Sequence, residues 1–579
     1  MPQSKSELYF ITPDELAERD ALGEPPATAE ALRLFNALPP TPPPAWRALA
    51  AEWRFAIGDP QEGLNASLES LPQAREPVAL PHRTLDPDTP YWYVATVSIH
   101  EPSVLEIGAD DGAQLYCDGE RIPMQGEHFF VSGSPEPILM TVRVINKAVY
   151  GGLEWVNILS QAEFEAYIDA QNRRNALTAL VRKTRRLQKP TKRQLAATLN
   201  AVQTQTDSAN QKARTLLASL PLTQAGPLLQ NATSHSVTLL WETDEPCSAQ
   251  AEWGEGYALE FVAIAQSEGS LHTATLSGLK PNTAYSYRAR SGCVLSPKYT
   301  FRTLPQEGAF AFTYWSDPHC NENPNGNNNA TFRQTVNALQ RYPSAFTVGG
   351  GDFVEEGNRQ APWLNFFANL APLAAKTPTM LMGGNHEYDR CFEDLRSPYL
   401  ERYLRNAPHP CYFAWTASDA RFVALDPNLH FPTGIPEGSA EYQWFMQELE
   451  SQEWRSAKWR FIFIHQPPYS QGWLDYEGDL PIRNLLEPLI ERYEIDFVVS
   501  GHTHDYERLT RQYGEQTAHF LILGGAGGGI EEGALSPQPV MDRVMRRYHF
   551  GRFQVERDTV TFQAIATDRR VLDTLVVTK

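Results

Sequence analysis

Between residues 305 and 579 five short apolar runs each stop at a carboxylate, an amide or an imidazole, and nothing else in the chain narrows its fold so far. Residues 310–315 run into Ser316-Asp317-Pro318-His319, 345–348 into Gly349-Gly350-Gly351-Asp352, and 379–382 into Gly383-Gly384-Asn385-His386-Glu387. Residues 461–464 then run into His465, and 497–499 into Ser500-Gly501-His502-Thr503-His504. Helix-like stretches at 331–342, 363–375, 441–457 and 482–493 separate them. The pattern predicts an α/β layered fold whose functional groups gather at the carboxyl ends of the strands. Singly, an Asp after a strand is a turn or cap residue and a His on a β-run is a satisfied core group, which is how Asp426, at the end of 422–425, is read. Jointly that explanation fails. Seven of the fourteen His lie between 319 and 504, and five of those sit at strand ends beside two Asp and one Asn.

Imidazole, carboxylate and amide oxygen without thiolate suit manganese, zinc or iron, and eight such groups exceed what one ion needs, so two divalent ions are predicted. The spacing D-x-H, G-D, G-N-H-E, a lone strand-end His and G-H-x-H is similar to that of the calcineurin-like metallophosphoesterase superfamily. Gly501-His502-Thr503-His504-Asp505-Tyr506-Glu507-Arg508, preceded by a sandwich-like β-segment, resembles its purple acid phosphatase branch. That resemblance implies one ion held by Asp317, His319, Asp352 and His504 and a second by Asp352, Asn385, His465 and His502. Asp352 would bridge them. A shared carboxylate lets two ions approach to about 3.5 Å, and a water held between them loses its proton near neutral pH and attacks phosphorus. His386, next to a ligand, is expected to protonate the leaving oxygen or hold the phosphate.

The chain also departs from the purple branch. Where those enzymes carry the Tyr that binds ferric iron, this one has Glu355, and His319 in D-x-H supplies the ligand instead. A colourless centre of manganese, zinc or ferrous iron is therefore expected. The His pair that follows the lone strand-end His in purple enzymes is missing from Gln466-Pro467-Pro468-Tyr469-Ser470-Gln471-Gly472-Trp473, so substrate contacts must differ. Asn385, His386, Tyr469 and Glu355 are the candidates for them. The expected activity is hydrolysis of phosphate esters, monoesters first, with di- or triesters as alternatives and a binding protein on a disused phosphatase scaffold as the non-enzymatic one. The Gly-rich 524–529 lacks the G-K-[S/T] of a nucleotide loop and is read as close packing beneath the site; the Asn-rich 321–329 is read as a rim or a substrate contact. Neither G-x-S-x-G nor H-E-x-x-H occurs.

Upstream, residues 1–84 read as a helix-prone, Pro-rich segment and 85–160 as an all-β module whose Asp110-Asp111-Gly112 to Gly119 stretch resembles jelly-roll modules of glycan-processing enzymes. It is a spacer or a carbohydrate contact. Residues 161–221 read as a basic helical connector, its Arg173 to Arg193 cluster a solvated face or an oligomer contact. Residues 222–304, with Trp241 and the turn Leu279-Lys280-Pro281-Asn282-Thr283-Ala284-Tyr285, resemble a fibronectin type III sandwich, and 305–579 is the catalytic domain. The formal charge of −19 opposes nucleic-acid binding. Six Cys without a C-x-x-C pair indicate neither a disulfide scaffold nor a zinc ribbon, and a Cys247–Cys293 bridge stays open. No run reaches the roughly 18–20 apolar residues of a membrane span. The acidic start, lacking a basic apolar leader, points to a cytoplasmic protein, with secretion left open by the kinship.

Overall fold

The computed structural model describes residues 45–579 apart from 59–67, 85–88, 110–111, 127, 147–150, 171–220, 222, 293, 389–396 and 431. The basic cluster, the Asp110-Asp111 pair and Cys293 lie outside the described residues, whereas Cys117, Cys247, Cys320 and Cys411 form no disulfide among the described residues.

In the C-terminal domain, alternation builds two sheets face to face. The first contains β1 (Phe310–Trp315), β2 (Phe346–Gly349), β3 (Thr379–Leu381), and, from the end of the chain, His549–Val555, Thr559–Ala566 and Val571–Thr578. β3, β2 and β1 are parallel, and the three C-terminal strands continue the sheet antiparallel from β1. The second sheet holds β4 (Phe413–Ala417), β5 (Ala420–Leu425), β6 (Trp459–Ile464), β7 (Phe497–Ser500), β8 (Tyr506–Tyr513) and β9 (Gln516–Leu523), in the order β4-β5-β6-β7-β9-β8 with Arg543–Met545 at the far edge. Successive side chains of a strand point to opposite faces, so Phe310, Phe312 and Tyr314 meet Phe422, Phe461 and Phe463 between the sheets. Phe312 stacks on Phe553 at 4.5 Å and meets Phe461 edge-on at 5.5 Å. Each such ring contributes about 1.5–3 kcal/mol by burial.

The alternate residues face helices. Trp315 packs under α1 (Asn327–Leu339) and α2 (Gln360–Ala374), and Ile462 and Ile464 under α3 (Ala440–Leu449) and α4 (Leu480–Ile490). The result is the four-layer α/β sandwich that the strand endings require. The helix expected over 441–457 is broken in two, because Ser451 turns its hydroxyl to the Trp454 N–H at 3.0 Å and caps a new helix, Gln452–Ser456.

Residues 223–302 form the expected β-sandwich of two antiparallel sheets, with Trp241 buried between them and the Tyr285 hydroxyl accepting the Lys280 N–H at 2.9 Å across the corner. It is bonded to the C-terminal domain by buried polar contacts. Tyr287 donates to Ala375 O at 2.8 Å, Thr379 to Leu229 O at 2.9 Å and Tyr403 to Glu242 at 2.6 Å.

The N-terminal module is also a β-sandwich, and it begins earlier than expected. Residues 45–84, read as helix-prone, instead supply strands Arg47–Ala48, Trp53–Ile57, Glu76–Val78 and His82–Thr84. Helix propensity there loses to tertiary packing, since Trp53 is buried and Phe55 nests against His82, Tyr91 and Tyr93. The Asp118-Gly119 turn joins Ala113–Cys117 to Glu120–Ile122 with φ of 49° and 86°, the left-handed pair a type I′ hairpin needs.

Candidate metal centre

Each strand ending reaches the same place because each is tied to a neighbouring one. The loop after β1 is zipped to the loop after β2: Asp317 N–H donates to Gly351 O at 3.1 Å, His319 N–H to Asp352 O at 3.0 Å and Cys320 N–H to Phe353 O at 3.0 Å. The loop after β7 joins them through His502 N–H, which lies 2.9 and 3.1 Å from the two oxygens of Asp317. Glu387, wholly buried after β3, accepts the N–H groups of Asp352, Phe353, Val354 and Gly384 at 2.8, 2.7, 3.3 and 2.7 Å. Glu387 is a functional residue that spacing alone does not single out, although its place in G-N-H-E is the available signal.

Four expected ligands hold left-handed backbone: Asp317 (φ 62°), His319 (44°), Asp352 (49°) and His502 (74°). Such conformations cost about 1–3 kcal/mol each and persist where the surroundings impose them. Glycines make the approach possible. A Cβ on Gly384 would stand 2.3 Å from Asp352 Oδ1 and 2.8 Å from His465 Cε1, and one on Gly528 would stand 2.9 Å from His319 and 3.0 Å from His504. The 524–529 run thus packs beneath the site.

The side chains form three overlapping clusters: Asp317, His319 and His504; His319, Asp352 and His386; and Asp352, His465 and His502. Asn385 joins the last through Oδ1, 3.0 Å from His502 Nδ1. A carbonyl can only accept, so ring orientation follows from the partners: His465 Nδ1 donates to Gly350 O at 2.8 Å and His504 Nδ1 to Gly529 O at 2.7 Å, each leaving Nε2 as a lone-pair donor. The His504 and His319 Nε2 atoms converge to 3.0 Å. His465 Nε2 is buried without a hydrogen bond, 3.0 Å from Asp352 Oδ2 and 3.9 Å from Asp317 Oδ1.

Charge burial dominates the site. Burial pushes the Asp317 carboxyl up to about 7 against the pull of His465. Burial alone would also depress His465, but Asp352 and Asp317 overrule it and hold the imidazole at about 9. Burial lowers His504 to about 3, with His319 adding to the effect. Without an ion, the proton held on His465 offsets part of the buried carboxylate charge; a bound cation would take over that role, and nitrogen and oxygen donors without thiolate fit divalent manganese, zinc or iron.

Of the expected substrate contacts, Glu355 and His386 are brought to the rim. Glu355 Oε2 lies 3.5 Å from His319 Nδ1, and His386 stands edge-on to His319 with Nδ1 3.0 Å from Glu355 O. Tyr469 is not brought there. Its ring is buried against Phe520, and its hydroxyl bonds Glu487 and Tyr513, at the hairpin end of β8, because the apolar side of α4 offers it better burial than the polar mouth. The Asn-rich loop serves the backbone: Asn328 donates to His319 O at 3.1 Å, and buried Asn329 to Asn323 O at 2.9 Å and Asn321 O at 3.1 Å.

Asp426 has more than a capping role. It caps the turn at Asn428 N–H, 3.1 Å away, and accepts the Tyr388 hydroxyl at 2.7 Å, while Glu441 accepts Asp426 N–H at 2.8 Å. Burial, then Asp426, holds Glu441 well above the usual carboxylate range. A raised folded value means that stability is lost as pH climbs from the unfolded value, about 4.3, toward the folded one. Glu441→Gln should therefore gain on the native protein by up to about 1.4 kcal/mol per pH unit over that window, measured by urea unfolding at pH 4.5 to 7. Parallel pH profiles for the two proteins would contradict this.

Comparison with known proteins points to the same fold. Residues 311–506 match the model of the calcineurin-like phosphoesterase family and 226–303 that of the purple acid phosphatase N-terminal domain. Purple acid phosphatase 21 of Arabidopsis thaliana is 25% identical over 291 residues, 48% of this chain and 63% of the relative, so the match spans less than two thirds of that protein. Arabidopsis "probable inactive purple acid phosphatase 27" is 26% identical over 335 residues, 49% of this chain and 53% of the relative. Among solved structures, the purple acid phosphatase PPD1 of yellow lupin (Lupinus luteus) superposes with a TM-score of 0.55 at 14% identity, covering 85% of this chain and 92% of that one, a likeness of fold. The chain thus carries a calcineurin-like phosphoesterase domain at 311–506 behind a purple acid phosphatase N-terminal domain at 226–303.

Proposed function

We propose that the chain hydrolyses phosphate esters at a binuclear metal centre, monoesters first. The observation that carries this reading is the convergence of Asp317, His319, Asp352, Asn385, His465, His502 and His504, with His465 Nε2 buried and without a hydrogen bond. Asp317, His319, Asp352 and His504 would hold one ion, and Asp352, Asn385, His465 and His502 the other. When bound, the two ions activate the attacking water and neutralise the phosphoryl oxygens.

The chain's own groups do the rest. Asp352 is fixed from both sides, by the His386 N–H on Oδ1 at 2.9 Å and by His465 beside Oδ2. His386, oriented by Nδ1–H on Glu355 O at 3.0 Å, would pass a proton to the leaving oxygen. Its ring is partly exposed, as are Asn385 and His504, which suits contact with the ester.

The reading is tested by metal analysis together with turnover of an aryl phosphate and a bis-aryl phosphate, with manganese, zinc and iron supplied in turn. Two ions per chain and faster monoester turnover are expected; a faster diester would reassign the substrate class, and no turnover with any ion would favour a binding role. The Glu355 carboxylate, where purple relatives carry Tyr, also predicts that the loaded protein lacks a strong visible absorption band. A visible spectrum of the iron form checks this.

A further inference from the structure

Around the mouth of the site the surroundings are unequal. His319 and His504 face polar groups: Glu355 lies 3.5 Å from His319 Nδ1 and Glu531 3.8 Å from His504 Nδ1. His502 faces rings. Trp473 lies 5.0 Å from the His502 ring and Tyr476 5.6 Å, with 5.5 Å between the two aromatics. Both are only partly buried, and Leu474 between them is 52% exposed, so apolar surface is left facing solvent beside a group that would hold an ion.

The rings are held in place by the chain behind them. Buried Glu507 accepts from Ser470 Oγ at 2.7 Å, Gln471 N–H at 2.7 Å and Gly472 N–H at 2.9 Å, and Tyr476 N–H closes a turn on Trp473 O at 3.2 Å. Arg546 donates to Gly472 O at 3.1 Å from the other side. A turn anchored this firmly presents its aromatics without an ordering cost when a ligand arrives.

Resting on the phosphoesterase reading, we propose that Trp473 and Tyr476 form an aromatic subsite for the alcohol part of the ester, and that preferred substrates are phosphates of alcohols with a flat apolar group near the ester oxygen. Ring-on-ring contact of this kind is worth about tenfold in affinity beyond its burial.

The test compares 2-phenylethyl phosphate with ethyl phosphate, whose leaving alcohols are similarly acidic, and the affinities of 2-phenylethylphosphonate and ethylphosphonate by calorimetry. The metal-loaded native protein should favour the phenyl member about tenfold in kcat/KM and in affinity. Trp473→Ala should reduce both preferences to within about twofold, Trp473→Phe should keep most of them, and both variants should retain two ions. Equal treatment of the two members by the native protein, or an unchanged preference in Trp473→Ala, overturns the subsite while leaving the phosphoesterase reading intact. Failure to hydrolyse either ester and to bind either phosphonate overturns both.

Discussion

His386→Ala is expected to lower kcat by about 10²–10⁴-fold while the protein still carries two metal ions per chain, whereas His502→Ala is expected to lose metal. The two residues differ in what their side chains touch. His502 meets Asn385 Oδ1 at 3.0 Å and clusters with Asp352 and His465 inside the site. His386 contributes its backbone N–H to Asp352, a bond that truncation of the side chain leaves in place, and its ring stands at the rim. The His386 ring also lies close enough to His319 and Asp352 to take part in binding an ion, and a ligand role predicts metal loss on truncation. Metal content by elemental analysis, alongside kcat, separates the two roles. Equal metal loss in both variants would end the division of labour proposed for them.

Glu387→Gln should be the most damaging isosteric change outside the ligands. Its two oxygens accept four main-chain N–H groups, two at Oε2 and two at Oε1, which joins the loop after β2 to the loop after β3. An amide offers one accepting oxygen. Its NH2 would point at two donors, leaving them unsatisfied in a buried place at about 1–3 kcal/mol each. Strain would pass directly to Asp352, whose own N–H is among the four, and to Asn385, next to Gly384 along the chain. The expected outcome is a loss of about 2–5 kcal/mol in urea unfolding and metal affinity reduced by about 10–100-fold. Unchanged stability would mean that the four N–H groups find other acceptors.

The sequence allowed the catalytic sheets to be read because their strands are bounded sharply. Residues 310–315 coincide with β1, and the other four runs fall within a residue or two of the strands. The convergence of the candidate ligands is legible for the same reason: a side chain at a strand end needs no long-range information to be placed at the edge of a parallel sheet. What escaped was whatever depends on a partner distant along the chain. Tyr469 follows His465 by four residues, which makes it a candidate substrate contact in the sequence, but its hydroxyl bonds Glu487 and Tyr513. Trp473 lies in a divergent loop, and its approach to His502 has no signature in spacing. The strands at 47–84 are short and rich in Pro and Arg, so their partners, not their composition, make them strands.

The left-handed backbone at Asp317, His319, Asp352 and His502 limits how this centre could be rebuilt for another metal. Asp, Asn and His are the side chains that tolerate that region best after glycine. Exchanging one of these positions for Cys to favour a softer ion, or for Glu to lengthen the reach of an oxygen, would meet a conformational penalty before any coordination bond was made. The peptide geometry itself therefore selects short, hard-to-borderline donors, and a change of metal preference would have to come from Asn385, His465 and His504, whose main chain is not left-handed, or from the shell that aims them.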